Sequence, residues 1–225
     1  MGAMAAGHGT DLGPTYAATG HAPMPDSVLQ ATMPPATARL VLLHGWGADA
    51  DDLMPLGAAL SAQLPFSIDC LGLPAPEPHP GGMGRQWYGL FPGDWQAVSP
   101  AVEQLQQRLE ALEQTPIPLS RTVLIGFSQG GAMAVHAGCN LPLAGVIGCS
   151  AYGHPNWKAP QWRPPVLLLH GLNDEVVPPE ASANLQAELK EGSSVDCHLM
   201  NFPGGHAIPQ QAEQAMVWMI SSWLS

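Results

Sequence analysis

Ser128, an acid at Asp174 or Glu175, and His206 follow one another along the chain, and these are the residue types that nucleophilic hydrolysis requires. A serine hydroxyl is a poor nucleophile until a neutral imidazole removes its proton. The imidazole in turn needs a carboxylate to hold its tautomer and to stabilise it once charged. Ser128 is the centre of Gly126-Phe127-Ser128-Gln129-Gly130, a G-x-S-x-G pattern. With 25 glycines in 225 residues that pentapeptide is weak by itself, and its context has to support it. A tetrahedral intermediate also needs two N–H donors. One is expected from Gln129, the residue after the nucleophile, and the other from a loop after an early strand. Leu42-Leu43-His44-Gly45-Trp46-Gly47 is that loop.

The elements that would carry these groups read as alternating strands and helices. Strands are predicted over residues 28–32, 39–43, 66–71, 122–125, 145–149, 166–169 and 195–200. Most are unbroken Val/Leu/Ile runs, as expected of strands covered on both faces. Helices are predicted over 51–63, 100–114, 129–139, 179–191 and 209–224, the last two opening on proline. Such an alternation predicts a single α/β domain over 27–225 with right-handed crossovers. Ligands then bind at the carboxyl ends of the strands, where Ser128, the Asp174–Glu175 pair and His206 each follow a strand. Serine, acid, histidine is the chain order of α/β hydrolases. Residues 1–26 read as a flexible tail, and 74–94 as a long irregular loop of the kind that is often functional.

Nine histidines compete for the base. His44 and His170 precede the acid in the chain and are expected to be buried hydrogen-bonding groups that shape turns. His79, His136, His154 and His198 lack a glycine-rich setting after a strand, and His8 and His21 fall in the tail. No histidines pair with acids at metal-ligand spacing, so neither metal nor cofactor is expected. The stripe Ala212, Ala215, Met216, Met219, Ile220 and Trp223 on the last helix reads as core-facing, since no Lys or Arg lies on its polar face.

Seven basic against eighteen acidic residues give a net charge of −11, which opposes binding to nucleic acid or to anionic membranes. Four scattered cysteines suggest buried thiols in a reducing compartment. No apolar run approaches a membrane span and no signal-peptide layout opens the chain, so a cytoplasmic protein is expected.

Together, "LVLLHGWGADADDL", "GFSQGG", "LHGLNDEVVP" and "GGHAIP" resemble the carboxylesterase/acyl-protein thioesterase (phospholipase/carboxylesterase) family of α/β hydrolases, over roughly residues 27–225. The resemblance implies an α/β-hydrolase fold without a large cap domain. It assigns Ser128 as nucleophile, Asp174 rather than Glu175 as acid, His206 as base, and the backbone N–H groups of Trp46 and Gln129 as oxyanion hole. "RQWYGL" resembles a family segment beside the acyl pocket, which places Trp87 and Tyr88, with Trp46, against substrate. Two departures stand out. Trp46 replaces a smaller residue and would narrow the acyl channel, and Gly89 replaces an acid. The expected substrate is a small acyl ester or thioester, or an acylated protein, and apolar residues near the loops permit a homodimer. A non-catalytic relative that binds a small ligand or partner is the alternative reading, and a serine peptidase a more distant one.

Overall fold

The computed structural model describes residues 26–29 and 35–225. The expected tail, apart from Asp26, and most of the expected strand 28–32 lie outside them. Strands β1 (Ser27–Leu29), β2 (Ala38–Leu43), β3 (Ile68–Leu73), β6 (Thr122–Phe127), β7 (Gly145–Cys149), β8 (Val166–Gly171) and β9 (Cys197–Phe202) form one sheet in the order β1-β3-β2-β6-β7-β8-β9. Every pairing is parallel except that of β1 with β3. Two-residue strands β4 (Glu77–Pro78) and β5 (Arg85–Gln86) form a small separate ladder inside the segment expected to be irregular.

Helices α1 (Met54–Ser61) and α5 (Gln210–Leu224) cover one face, while α2 (Val98–Ala111), α3 (Gln129–Gly138) and α4 (Pro179–Lys190) cover the other. Leu40, Leu42, Val123, Ile125, Leu167 and Leu169 pack with α1 and α5. Their strand neighbours Val41, Leu43, Leu124, Val146, Val166 and Leu168 pack with α2, α3 and α4. Alternate side chains serve opposite faces, so a strand buried on both sides must be apolar at every position. This is why the central strands read as unbroken aliphatic runs. Each such side chain contributes roughly 1.5–3 kcal/mol on burial.

Several ends differ from the expected ones for local reasons. Helix α1 begins at Met54, not at residue 51, because Asp49 Oδ1 accepts the Asp51 N–H at 3.1 Å and Asp51 O accepts the Met54 N–H at 3.1 Å, which closes turns ahead of Pro55. Strand β3 starts two residues later than expected, at Ile68, and β9 likewise at Cys197. Helix α2 starts earlier, at Val98, behind an Asp94 carboxylate that accepts the Ala97 N–H at 3.2 Å. All four cysteines are buried and free, and burial pushes the Cys139 and Cys149 thiols up to about 12.

Candidate active site

Strand β6 ends at Phe127 and α3 begins at Gln129, so the whole turn between them is Ser128. Its backbone lies at φ 55°, ψ −118°, a conformation that L side chains rarely adopt. Gly126 and Gly130 make so sharp a turn feasible. A Cβ on Gly126 would stand 2.1 Å from Gly130 O, and one on Gly130 would stand 2.2 Å from Leu43 O. The Ser128 N–H donates to Cys149 O at 2.8 Å, anchoring the elbow to the end of β7. The residue stays 9% exposed.

Asp174 lies on the turn after β8. Its Oδ1 accepts the backbone N–H groups of Val176 (3.0 Å) and Val177 (2.9 Å). Its Oδ2 accepts the Ser150 hydroxyl at 2.8 Å and faces His206 Nδ1 at 2.8 Å. Burial by itself would raise the carboxyl's pKa and is the largest single influence on it. The bonds from His206, Val177, Ser150 and Val176 together outweigh burial and hold the pKa below its ordinary value. Asp174 is therefore a carboxylate, and His206 Nδ1 carries the proton of their bond. The Phe127 ring lies 4.7 Å from the His206 ring and braces it from the elbow side. Glu175, the competing acid, is exposed.

On the opposite side of the elbow, Trp46 follows β2 in the turn 44–47. No backbone carbonyl among the described residues accepts the N–H of Trp46 or of Gln129. Gln129 is the first residue of α3, where an N–H has no acceptor within the helix and the helix dipole favours negative charge. The Trp46 indole is fixed by its Nε1–H, which donates to Gln86 Oε1 at 2.8 Å. It meets His79 and Phe91 edge-on at centroid distances of 4.1 and 5.4 Å.

Trp87 and Tyr88 are placed differently from Trp46. They are only 2% and 1% exposed, and their polar atoms are turned inward. The Trp87 indole N–H donates to His44 O at 3.0 Å. The Tyr88 hydroxyl meets Tyr152 Oη at 2.7 Å and His154 Nε2 at 2.9 Å. Both residues back a groove of about 560 Å³ whose other walls include Pro76, Gln86, Asp94 and Gln104. Gly89 leaves room beside Asp94, whose Cβ would lie 3.5 Å from an added Cβ.

His44 and His170 are buried hydrogen-bonding groups, as their positions suggested. His44 Nε2 accepts the Ala75 N–H at 3.0 Å, so Nδ1 carries the proton and donates to Gly45 O at 2.7 Å. His170 is bonded to Ser182 Oγ at 2.6 Å and to Val177 O at 2.9 Å. Ser150 and the side chain of Gln129 are the participants that residue patterns did not single out. The motif carries the Gln129 side chain, but nothing in the spacing marks Ser150. Among the described residues no group of three or more His, Cys, Asp or Glu is placed to hold a metal ion. No helix among them is long and apolar enough to cross a membrane.

A parallel sheet flanked on both faces, with a strand–serine–helix elbow and with acid and histidine on the following loops, is the arrangement of an α/β hydrolase. The comparisons agree: residues 24–224 match the phospholipase/carboxylesterase profile, and the chain belongs to that family. Among relatives, acyl-protein thioesterase 1 of Gibberella zeae is 35% identical over 111 residues, 44% of this chain and 47% of that protein. Acyl-protein thioesterase 1 of Cryptococcus neoformans is 28% identical over 179 residues, 68% of this chain and 74% of that one. The chain thus spans about half the length of the first of these relatives. Among solved structures, esterase PE8 superposes with a TM-score of 0.79 at 29% identity, over 90% of this chain and all of that one. SOBER1 of Arabidopsis thaliana shares the fold at a TM-score of 0.71 and 22% identity, over 84% of this chain and all of that one.

Proposed function

We propose that this protein is a serine hydrolase that cleaves carboxylic esters or acyl thioesters through an acyl-Ser128 intermediate. The observation that carries this reading is the 2.8 Å contact of His206 Nδ1 with the Asp174 carboxylate, on loops at the same sheet edge as the strained Ser128 elbow. In the first half-reaction His206 Nε2 takes the Ser128 hydroxyl proton as Oγ bonds to the acyl carbon. The carbonyl oxygen becomes an oxyanion, held by the N–H groups of Trp46 and Gln129. The imidazolium, paired with Asp174, then protonates the departing alkoxide or thiolate as its bond to the acyl carbon breaks, releasing the alcohol or thiol. In the second half His206 takes a proton from water, hydroxide adds to the acyl carbon, and Ser128 leaves with the proton returned.

The chemistry of the site fits small acyl esters, acyl thioesters and acylated proteins. The fixed indole of Trp46 beside the oxyanion position favours short acyl chains. A series of p-nitrophenyl esters of increasing chain length, run beside an acyl thioester, tests the substrate range. Rates should decline beyond the shortest chains. The direct test of the nucleophile is Ser128→Ala, which should leave less than about a thousandth of wild-type hydrolysis, because an oxyanion hole and binding alone retain only about 10³–10⁴-fold acceleration over water. Retention of more than that, in a folded variant, contradicts the assignment.

A further inference from the structure

Ser150 directly follows β7 and is buried, with 1% of its surface exposed. Its φ of 46° is one that non-glycine residues adopt only against strain. Its N–H donates to Leu169 O at 2.8 Å, which fixes the residue against β8. The hydroxyl then reaches Asp174 Oδ2 at 2.8 Å, the same oxygen that faces His206 Nδ1 at 2.8 Å. With Oδ1 taken by the N–H groups of Val176 and Val177, each carboxylate oxygen accepts two bonds. Strained backbone at a buried polar residue tends to mark a site where geometry serves function.

We propose that Ser150 is a positioning residue for hydrolysis, whose hydroxyl holds the plane of the Asp174 carboxylate and takes up part of the charge on the oxygen that pairs with His206. The proposal rests on the reading of Ser128, His206 and Asp174 given above. Without the hydroxyl, Oδ2 loses one of its two donors, and the carboxylate plane is held only through Oδ1 and by His206 itself. The charge left on Oδ2 also favours the imidazolium over the neutral base. Few other titratable groups surround the pair. His170 on β8 brings Nε2 to 3.4 Å from Oδ2 while bonded to Val177 O. Cys149, beside Ser150, is a fully buried thiol pushed up to about 12, and Glu175 is exposed.

The test uses the full chain, with Ser150→Ala and Ser150→Gly assayed beside wild type and Ser128→Ala for hydrolysis of p-nitrophenyl acetate from pH 5 to 9. Thermal unfolding of each variant accompanies the assay. Both Ser150 variants lack the hydroxyl but differ in strain, because glycine adopts φ 46° freely. If alanine fails to fold there, glycine still answers. Both should lose roughly ten-fold in kcat/KM, as expected for a lost bond to a charged group. Their acidic limb should also move up by about 0.5–1 pH unit. Ser150→Gly with a wild-type rate and profile would overturn the proposal, since strain rather than the hydroxyl would then matter. A reduced rate with an unmoved limb would also overturn it, by showing a purely structural role. If Ser128→Ala stays active, the reading beneath the proposal fails. A silent Ser128→Ala beside wild-type-like Ser150 variants removes the proposal alone.

Discussion

The side chain of Gln129 accepts the backbone N–H of Trp87 at 3.0 Å, across 42 positions of sequence. Its amide also donates to Tyr88 O at 2.8 Å, so one residue joins the Ser128 elbow to the Trp87–Tyr88 segment through both of its polar atoms. Trp87 continues the link, since its indole N–H holds the carbonyl of His44 ahead of the Trp46 turn. The two N–H groups proposed to receive the oxyanion, on Gln129 and Trp46, are thus braced against each other through Trp87.

Gln129→Ala keeps the backbone N–H but leaves the Trp87 N–H and the Tyr88 carbonyl buried without a partner. Each stranded group costs about 1–3 kcal/mol. Denaturant unfolding should report a loss of about 2–6 kcal/mol, and ester hydrolysis should fall at least ten-fold through a loosened oxyanion site. Unchanged activity would show that the brace is structural only.

Gly130→Ala should abolish both folding and activity. The added Cβ would lie 2.2 Å from Leu43 O and 2.4 Å from His44 O, and backbone oxygens cannot step aside. Gly89→Ala is the matched control. Its Cβ would meet Asp94 Cβ at an ordinary 3.5 Å, and thermal stability and hydrolysis should both match wild type.

Acid should destabilise the fold through a pair of histidines outside the site. His136 and His154 face each other through Nδ1 at 2.8 Å. Burial lowers them to about 4 and about 3 from an ordinary 6.5, with His154 lowered further by His136. Between those values and 6.5 the unfolded chain binds more protons than the folded one, so stability falls as pH falls through that window. Asp174, depressed in the fold, adds stability above its ordinary value that is lost only at the acid end. Tm should drop steadily from pH 6.5 to 4.5, and His136→Leu should flatten the slope. A Tm constant across that range contradicts the account.

The parts of this design legible in the sequence are those with a local cause. Leu40–Leu43 and Val123–Ile125 announce strands because two-sided burial leaves no polar position. Ser128 is visible because its turn admits only glycine at 126 and 130. Asp174 and His206 follow their strands for the same topological reason. Distant contacts are not legible. Ser150 stands among "CSAY" with no spacing to mark it, and its role appears only where β7 and β8 lie side by side. The sequence resemblance put Trp87 and Tyr88 beside the acyl pocket. Their deep burial follows from the inward partners His44, Gln129 and His154, which no local pattern names. The early start of α2 likewise depends on the Asp94 carboxylate turning back to Ala97.

The central claim is that Ser128 is an activated nucleophile. It is tested most directly by incubating the native protein with a fluorophosphonate and measuring its intact mass, followed by peptide mapping. A single phosphonyl adduct on Ser128 is expected, formed in wild type, slowed strongly in His206→Ala and absent in Ser128→Ala. A wild-type protein that stays unmodified, or an adduct that maps to another residue, would contradict the account.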